Sequence, residues 1–328
     1  MKRRRAIATV VSAAVFLPRL TWAQPQQRTF RVGHLIAGAR TPDGAPPRSL
    51  RESLRALGYV EGRNVAYEAR FAEGRTERLP GLAAELVELK VDVIVSGGGA
   101  ATEAARQATR SIPIVMAPAA GDAVATGWIA SLARPGGNVT GLTDESIDLS
   151  AKRMQLLREA LPRAARIAVV WNENDQGMTL RYREIEKAAR ALKMEVQAIG
   201  VRSGDDFPAA FSAMEHRRPD AVFVVSDALT AGNRKKLIEF ATANRIPSMY
   251  EQSGNVQDGG LMSYGYSFDD SYRVAARYVD QILKGSRPAN LPAEHPTRYY
   301  LFVNLRAAAA LGLHLPTPLL LRADEVIQ

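Results

Sequence analysis

Short runs of β-branched residues alternate with amphipathic stretches along most of the chain, a rhythm that predicts parallel sheets wrapped by helices. The first strand is expected over 31–36, followed by a Gly/Pro-rich loop over 37–47. Leu50, Leu54 and Leu57 then mark one face of a helix that Gly58 stops. A second strand is expected over 65–70, and Leu79, Leu82, Ala83, Leu86 and Val87 show helical spacing. The unbroken apolar run 91–95 reads as a strand buried on both faces, leading into Ser96-Gly97-Gly98-Gly99 and a helix from Ala100. Strands at 114–116 and 138–142 close this unit. The rhythm then restarts, with strands expected at 167–171, 195–199, 221–225, 247–250, 260–264 and 298–304. Helices are expected between them at 149–161, 180–192, 207–216, 233–244 and 269–284, and a last one at 305–311. Two similar α/β halves result, with candidate crossovers near Asp144 and Gly265.

The first 23 residues break this pattern. Lys2, Arg3, Arg4 and Arg5 precede an uncharged apolar run over 6–17, and Thr21-Trp22-Ala23 supplies small residues at cleavage positions, so a signal peptide cut before Gln24 is expected. The run is shorter than the roughly 20 residues a membrane span needs. Consecutive arginines fit either general or twin-arginine export. Of the chain's +9 net charge, five positive residues (Lys2, Arg3, Arg4, Arg5, Arg19) sit in this uncompensated leader, leaving +4. With basic residues scattered among acids rather than gathered on a stripe, nucleic acid is set aside as a partner. The absence of cysteine excludes disulfides, thiolate metal sites, a cysteine nucleophile and a lipid-anchoring cysteine.

Candidate binding residues fall where the expected strands end. Ser96, Gly97, Gly98, Gly99 and Ala100 form a turn that lets backbone approach a ligand, and the helix start behind it favours a carboxylate. The turn lacks the last glycine of a dinucleotide fingerprint and the Lys-Ser/Thr pair of a P-loop, and a ligand-free strand-to-helix turn would look the same. Arg40 sits in the long loop after the first strand, where a guanidinium could pair with a carboxylate. Asp122, Asn172 and Asp227 follow strands and could hold an ammonium or hydroxyl, or cap the next helix. Trp171, Tyr250 and Tyr264 could supply a flat wall or simply pack in the core. The four histidines lack metal-ligand spacing, Ser96 lacks a nucleophile elbow, and no cofactor motif occurs, so neither an enzyme nor a cofactor is expected.

Longer motifs carry a family likeness. The tail from Gly259 to Gln328, the stretch Ser131-Leu132-Ala133-Arg134-Pro135-Gly136-Gly137-Asn138-Val139-Thr140-Gly141, and Leu321-Arg322-Ala323-Asp324-Glu325-Val326 resemble substrate-binding proteins of bacterial ABC importers, in the tryptophan/tyrosine-type branch. Gly121-Asp122 fits the same pattern, although Ala123 stands where the family usually has proline. The resemblance implies a type I periplasmic-binding fold, two Rossmann-like α/β lobes joined by three crossovers around a ligand cleft. One lobe would hold 29–142 plus 269–297, and the other 143–268 plus 298–328. It further implies a periplasmic monomer that closes over a small polar or aromatic ligand, amino-acid-like ones favoured, and meets an ABC permease in the inner membrane. Import and ligand sensing both fit such a receptor. An exported α/β enzyme would need a nucleophile and base converging in the cleft.

Overall fold

The computed structural model describes residues 28–117, 122–143 and 146–328; the expected signal peptide lies outside them. Two sheets organise the chain. The first contains β1 (Phe30–Ile36), β2 (Val65–Phe71), β3 (Val93–Gly97), β4 (Ile114–Met116) and β5 (Val139–Gly141), in the order β2-β1-β3-β4-β5. All of its pairings are parallel, and the central strands β3 and β4 are buried throughout, because helices cover both faces. The second contains β6 (Arg166–Asn172), β7 (Glu195–Val201), β8 (Ala221–Val224), β9 (Ser248–Tyr250), β10 (Met262–Gly265), β11 (Tyr300–Asn304) and β12 (Glu325–Ile327). Its order is β12-β11-β10-β9-β8-β6-β7, parallel except where β11 runs against β10. Edge strand β7 alternates exposed and buried positions, as a strand covered on one face should.

The chain changes lobes three times. After β5 it enters the second sheet through the segment around 143–146, part of which lies outside the described residues. After β10 it returns: the helix Phe268–Leu283 packs Tyr272, Ala275, Ala276, Val279 and Ile282 against Val32, Leu50, Leu54 and Val93 of the first lobe. After Ala293 it crosses again, and Leu301 and Val303 join the second lobe's core with Ala308 and Leu319. Crossings one and three are tied, since Glu294 N donates to Gly141 O at 3.0 Å and Thr143 N to Glu294 O at 3.0 Å. Crossing two starts at Gly265, where a β-carbon would lie 1.9 Å from Glu251 O.

The glycine-rich motif at 131–141 builds this frame. Asn138 Nδ2 donates to Thr109 O and Ile112 O, and Thr140 Oγ1 donates to Leu291 O at 2.7 Å. Gly136 N reaches Ala289 O at 3.2 Å. The motif therefore anchors β5 to the third crossing, away from the cleft.

Several boundaries differ from the sequence reading. β3 starts two residues later than expected and takes in Ser96 and Gly97, because Lys90 adopts φ 51° and Val91 N still bonds Leu86 O in the preceding helix end. Strand β12 and the helices Ala228–Gly232, Ser253–Gln257 and Thr317–Leu321 stand where the sequence reading has no element; five residues make little more than one helical turn, too short for an apolar face to repeat.

Candidate functional site

A cleft of about 310 Å³ opens between the two sheets at the carboxyl ends of their parallel strands, where α/β sheets present ligands. The first lobe supplies Ile36, Ala37 and Gly38 after β1, Thr76 after β2, and Gly97 to Ala100 after β3. The second supplies Asn172, Asn174 and Asp175 at the end of β6, Ser226, Asp227, Ala228 and Ala231 after β8, and Gln252 after β9. Tyr266 and Phe268, from the second crossing, close the hinge side.

The two walls differ in polarity. On the first, Gly98 precedes the helix Gly99–Ala108 with φ 92°, a conformation that glycine adopts without penalty, and no side chain caps that helix. Its first-turn N–H groups and the positive end of its dipole are open to an acceptor. On the second wall, Asp227 accepts from Asn172 Nδ2 at 2.7 Å, Thr230 N at 2.9 Å and Thr230 Oγ1 at 3.0 Å. Burial raises the Asp227 pKa, outweighing the opposing hydrogen bonds from Thr230 and Asn172, and nearby Asp175 pushes the same way. Asp227 thus caps its helix and lines the cleft at once, and Asn172 holds its carboxylate in place. Tyr266 and Phe268 pack edge to face with centroids 5.7 Å apart, and Phe268 stays 39 % exposed, an apolar ring left uncovered in a cleft.

Behind the second wall lies a buried charge cluster. Glu251 meets Arg153 at 3.0 Å and Arg181 at 2.8 Å, and accepts from Ser226 N at 3.1 Å. Arg153 Nε also donates to Tyr264 O at 2.7 Å, which links the ends of β8, β9 and β10 to the second crossing. Behind the first wall, fully buried His34 contacts Tyr272 Oη at 3.1 Å, and burial lowers its pKa to about 4. A second hollow of about 290 Å³ lies behind the hinge, lined partly by Asp270, Arg277, Glu294 and Arg298. Their charges are matched by ion pairs: Arg277 with Glu294, Arg298 with Asp324, and Asp270 with Arg273.

Of the residues singled out from sequence, Gly97, Gly98, Gly99, Ala100, Asn172 and Asp227 come together on the cleft walls. The others stand elsewhere. Ser96 belongs to β3, fully buried, with its hydroxyl 2.8 Å from Thr102 Oγ1. Arg40 is exposed and lies along its own loop against Gly44. Asp122 is exposed and accepts from Val124 N at 2.8 Å and Ala125 N at 3.2 Å, a local turn. Tyr250 is fully buried in the second lobe, its ring against Gly260, and burial pushes its pKa up to about 12. Tyr264 packs half-buried on the second-lobe core, and Trp171 stacks on Tyr182 at 3.9 Å. Tyr266, Phe268, Ser226, Asp175 and Gln252 were missed, although each sits within four residues of a position that was named. Adjacency to a strand end was the available signal, and side-chain direction past the strand end was the missing one. Among the described residues no group of three or more His, Asp or Glu is placed to hold a metal, and no helix is long and apolar enough to cross a membrane.

Comparison with known proteins places this architecture. A model of the family described as ABC transporter substrate binding protein matches residues 47–327. A tyrosine-binding protein of Clostridioides difficile (strain R20291) is 26 % identical over 263 residues, covering 80 % of this chain and 75 % of that protein. A Streptococcus pneumonia ABC domain in complex with L-Trp superposes with a TM-score of 0.83 at 22 % identity, over 91 % of this chain and all of the other. The ligand-free, open structure of a Clostridium difficile substrate-binding protein with adhesive properties gives a TM-score of 0.66 at 24 % identity, over 92 % of this chain and all of that one. With 47–327 spanned by one family model and two lobes enclosing a cleft, the chain belongs to the ABC transporter substrate-binding protein family.

Proposed function

We propose that the chain is the extracytoplasmic receptor of an ABC importer and that it captures a free amino acid, with aromatic ones favoured. The observation that carries this reading is the opposition of polarity across the cleft: uncapped helix N–H groups at Gly98 to Ala100 on one lobe, and the Asp227 carboxylate held by Asn172 on the other. An α-carboxylate suits the first and an α-ammonium the second. The side chain then extends toward Tyr266 and Phe268, whose rings favour a flat partner. Contacts from both lobes stabilise the shut form over the open one, and that shut form is what a permease in the inner membrane would engage. The relatives that bind tyrosine and L-Trp support the amino-acid assignment. The closer superposition on the L-Trp complex than on the open, ligand-free structure fits a shut arrangement of the two lobes. The receptor acts as a monomer after loss of its leader, with Gly97 to Ala100, Asn172 and Asp227 as its polar ligand contacts.

Titration calorimetry of the leaderless protein against the twenty amino acids tests this. L-tyrosine or L-tryptophan should bind most tightly, and N-acetylation or amidation of the ligand should abolish binding by removing one charge. Heat signals indifferent to both modifications would refute the assignment.

A further inference from the structure

Two glycines meet across the mouth of the cleft. Gly74 lies in the first lobe, in the turn after β2, and Gly232 ends the second-lobe helix Ala228–Gly232. A β-carbon on Gly232 would stand 3.9 Å from Gly74 Cα. At the other end of that helix, Ala228 packs against the first lobe's core. Each side of this seam is anchored to a cleft wall. Gly74 N donates to Ala37 O at 2.8 Å and Glu73 N to Gly38 O at 3.1 Å, and Ala37 and Gly38 line the cleft. Asp227 holds the start of the Ala228–Gly232 helix through a reciprocal bond with Thr230.

The two positions have different reasons for being glycine. Gly74 has φ 81°, so its backbone conformation alone disfavours a side chain. Gly232 has no positive φ, and beyond its chain neighbours and its own helix backbone only Gly74 Cα lies within 4 Å of where its β-carbon would be. Nothing in the fold of its own lobe limits the size of a side chain there. The opposite lobe does: it already stands at contact distance from a β-carbon, so it bears on anything larger than alanine.

We propose that Gly232 is a closure-permitting position: a residue no larger than alanine there lets the Ala228–Gly232 helix seat on the Gly74 turn, and this seam sets how far the lobes shut and therefore how tightly ligand is held. The proposal rests on the receptor reading above. Seating is required only in the shut form, so a side chain at 232 should act on ligand binding and leave the empty protein's stability alone.

The test compares Gly232→Ala, Gly232→Val and a control, Gly81→Leu, on a helix surface where nothing lies within 4 Å of the added β-carbon. The probes are L-tyrosine and L-tryptophan, read by calorimetry, by melting of the empty protein and by small-angle scattering with and without ligand. Ala at 232 adds one atom at ordinary contact distance and should stay within about twofold of wild type, as should the control. Val fills two of the three staggered positions on its β-carbon, so it should hold the seam ajar. Its affinity should fall about tenfold or more because the competent fraction drops. Its ligand-saturated radius of gyration should exceed that of wild type, with empty-protein melting unchanged. A Val variant that binds and compacts like wild type overturns the proposal. So does one whose empty-protein melting falls along with its affinity, which would mark Gly232 as structural. If wild type itself neither binds nor compacts with either probe, the receptor reading falls, and the closure proposal with it.

Discussion

At the scale of single residues, Asp227 and His34 carry opposite consequences of burial. Asp227 is charged work: its carboxylate is fixed by Asn172 and Thr230 and faces the cleft. Replacing it by Asn keeps much of the helix cap and removes the charge. Affinity for an amino acid should then fall by about 1.5–3 kcal/mol, the worth of a charged hydrogen bond, while melting changes little. Calorimetry beside thermal melting separates the two, and a large melting loss at constant affinity would reduce Asp227 to a cap. Because burial raises its pKa, wild-type affinity should also decline on acidification before an ordinary carboxylate would protonate, and Asp227→Asn should lose that dependence. His34 is neutral in the folded protein, its pKa lowered from 6.5 to about 4 by burial. The unfolded chain takes up this proton as pH falls through 6.5, and the folded one resists until near 4. Stability complete above the upper value therefore drains away by about 3 kcal/mol toward the lower one. Urea midpoints between these pH values should show that slope, and His34→Gln should flatten it.

At the scale of elements, the second crossing matters most. Gly265 ends β10 where the chain leaves the second sheet, and its backbone passes so close to Glu251 O that a methyl group would stand 1.9 Å away. Glu251 itself is pinned between Arg153 and Arg181, so it has little room to yield. Gly265→Ala should cost about 2 kcal/mol or more by overpacking, seen as a lower urea midpoint, and should weaken ligand binding by moving Tyr266. An unchanged midpoint would show that β9 and β10 separate more easily than the packing implies.

At the scale of the molecule, each lobe keeps its own core and the lobes meet at few points, so their relative rotation is the soft coordinate. The Phe268–Leu283 helix belongs to the first lobe's core although it follows a second-lobe strand, which makes the crossings short and fixes the axis of rotation. Scattering from the leaderless protein should therefore show a smaller radius of gyration with bound L-tyrosine or L-tryptophan than without. Equal values in both states, with binding intact, would mean that the cleft fills without moving.

What the chain's own pattern determined was the alternation of strand and helix, the two-lobed class and the strand ends where a ligand belongs. Apolar periodicity and glycine turns are local, and local signals suffice for elements and their order. They also placed Gly97 to Ala100, Asn172 and Asp227 on the cleft, because a residue just past a parallel strand has one place to be. Tertiary structure decided the rest. Ser96 lies inside β3 rather than in the turn after it, its hydroxyl bonded to Thr102, since where a strand stops depends on partners far along the chain, here Leu35 of β1 and Met116 of β4. Tyr250 went to the core while Tyr266 went to the cleft, a choice made by Gly260 and by the path of the second crossing, neither of which any short window of sequence displays. The meeting of Gly74 with Gly232, 158 positions apart, exists only once two independently folded lobes are brought face to face.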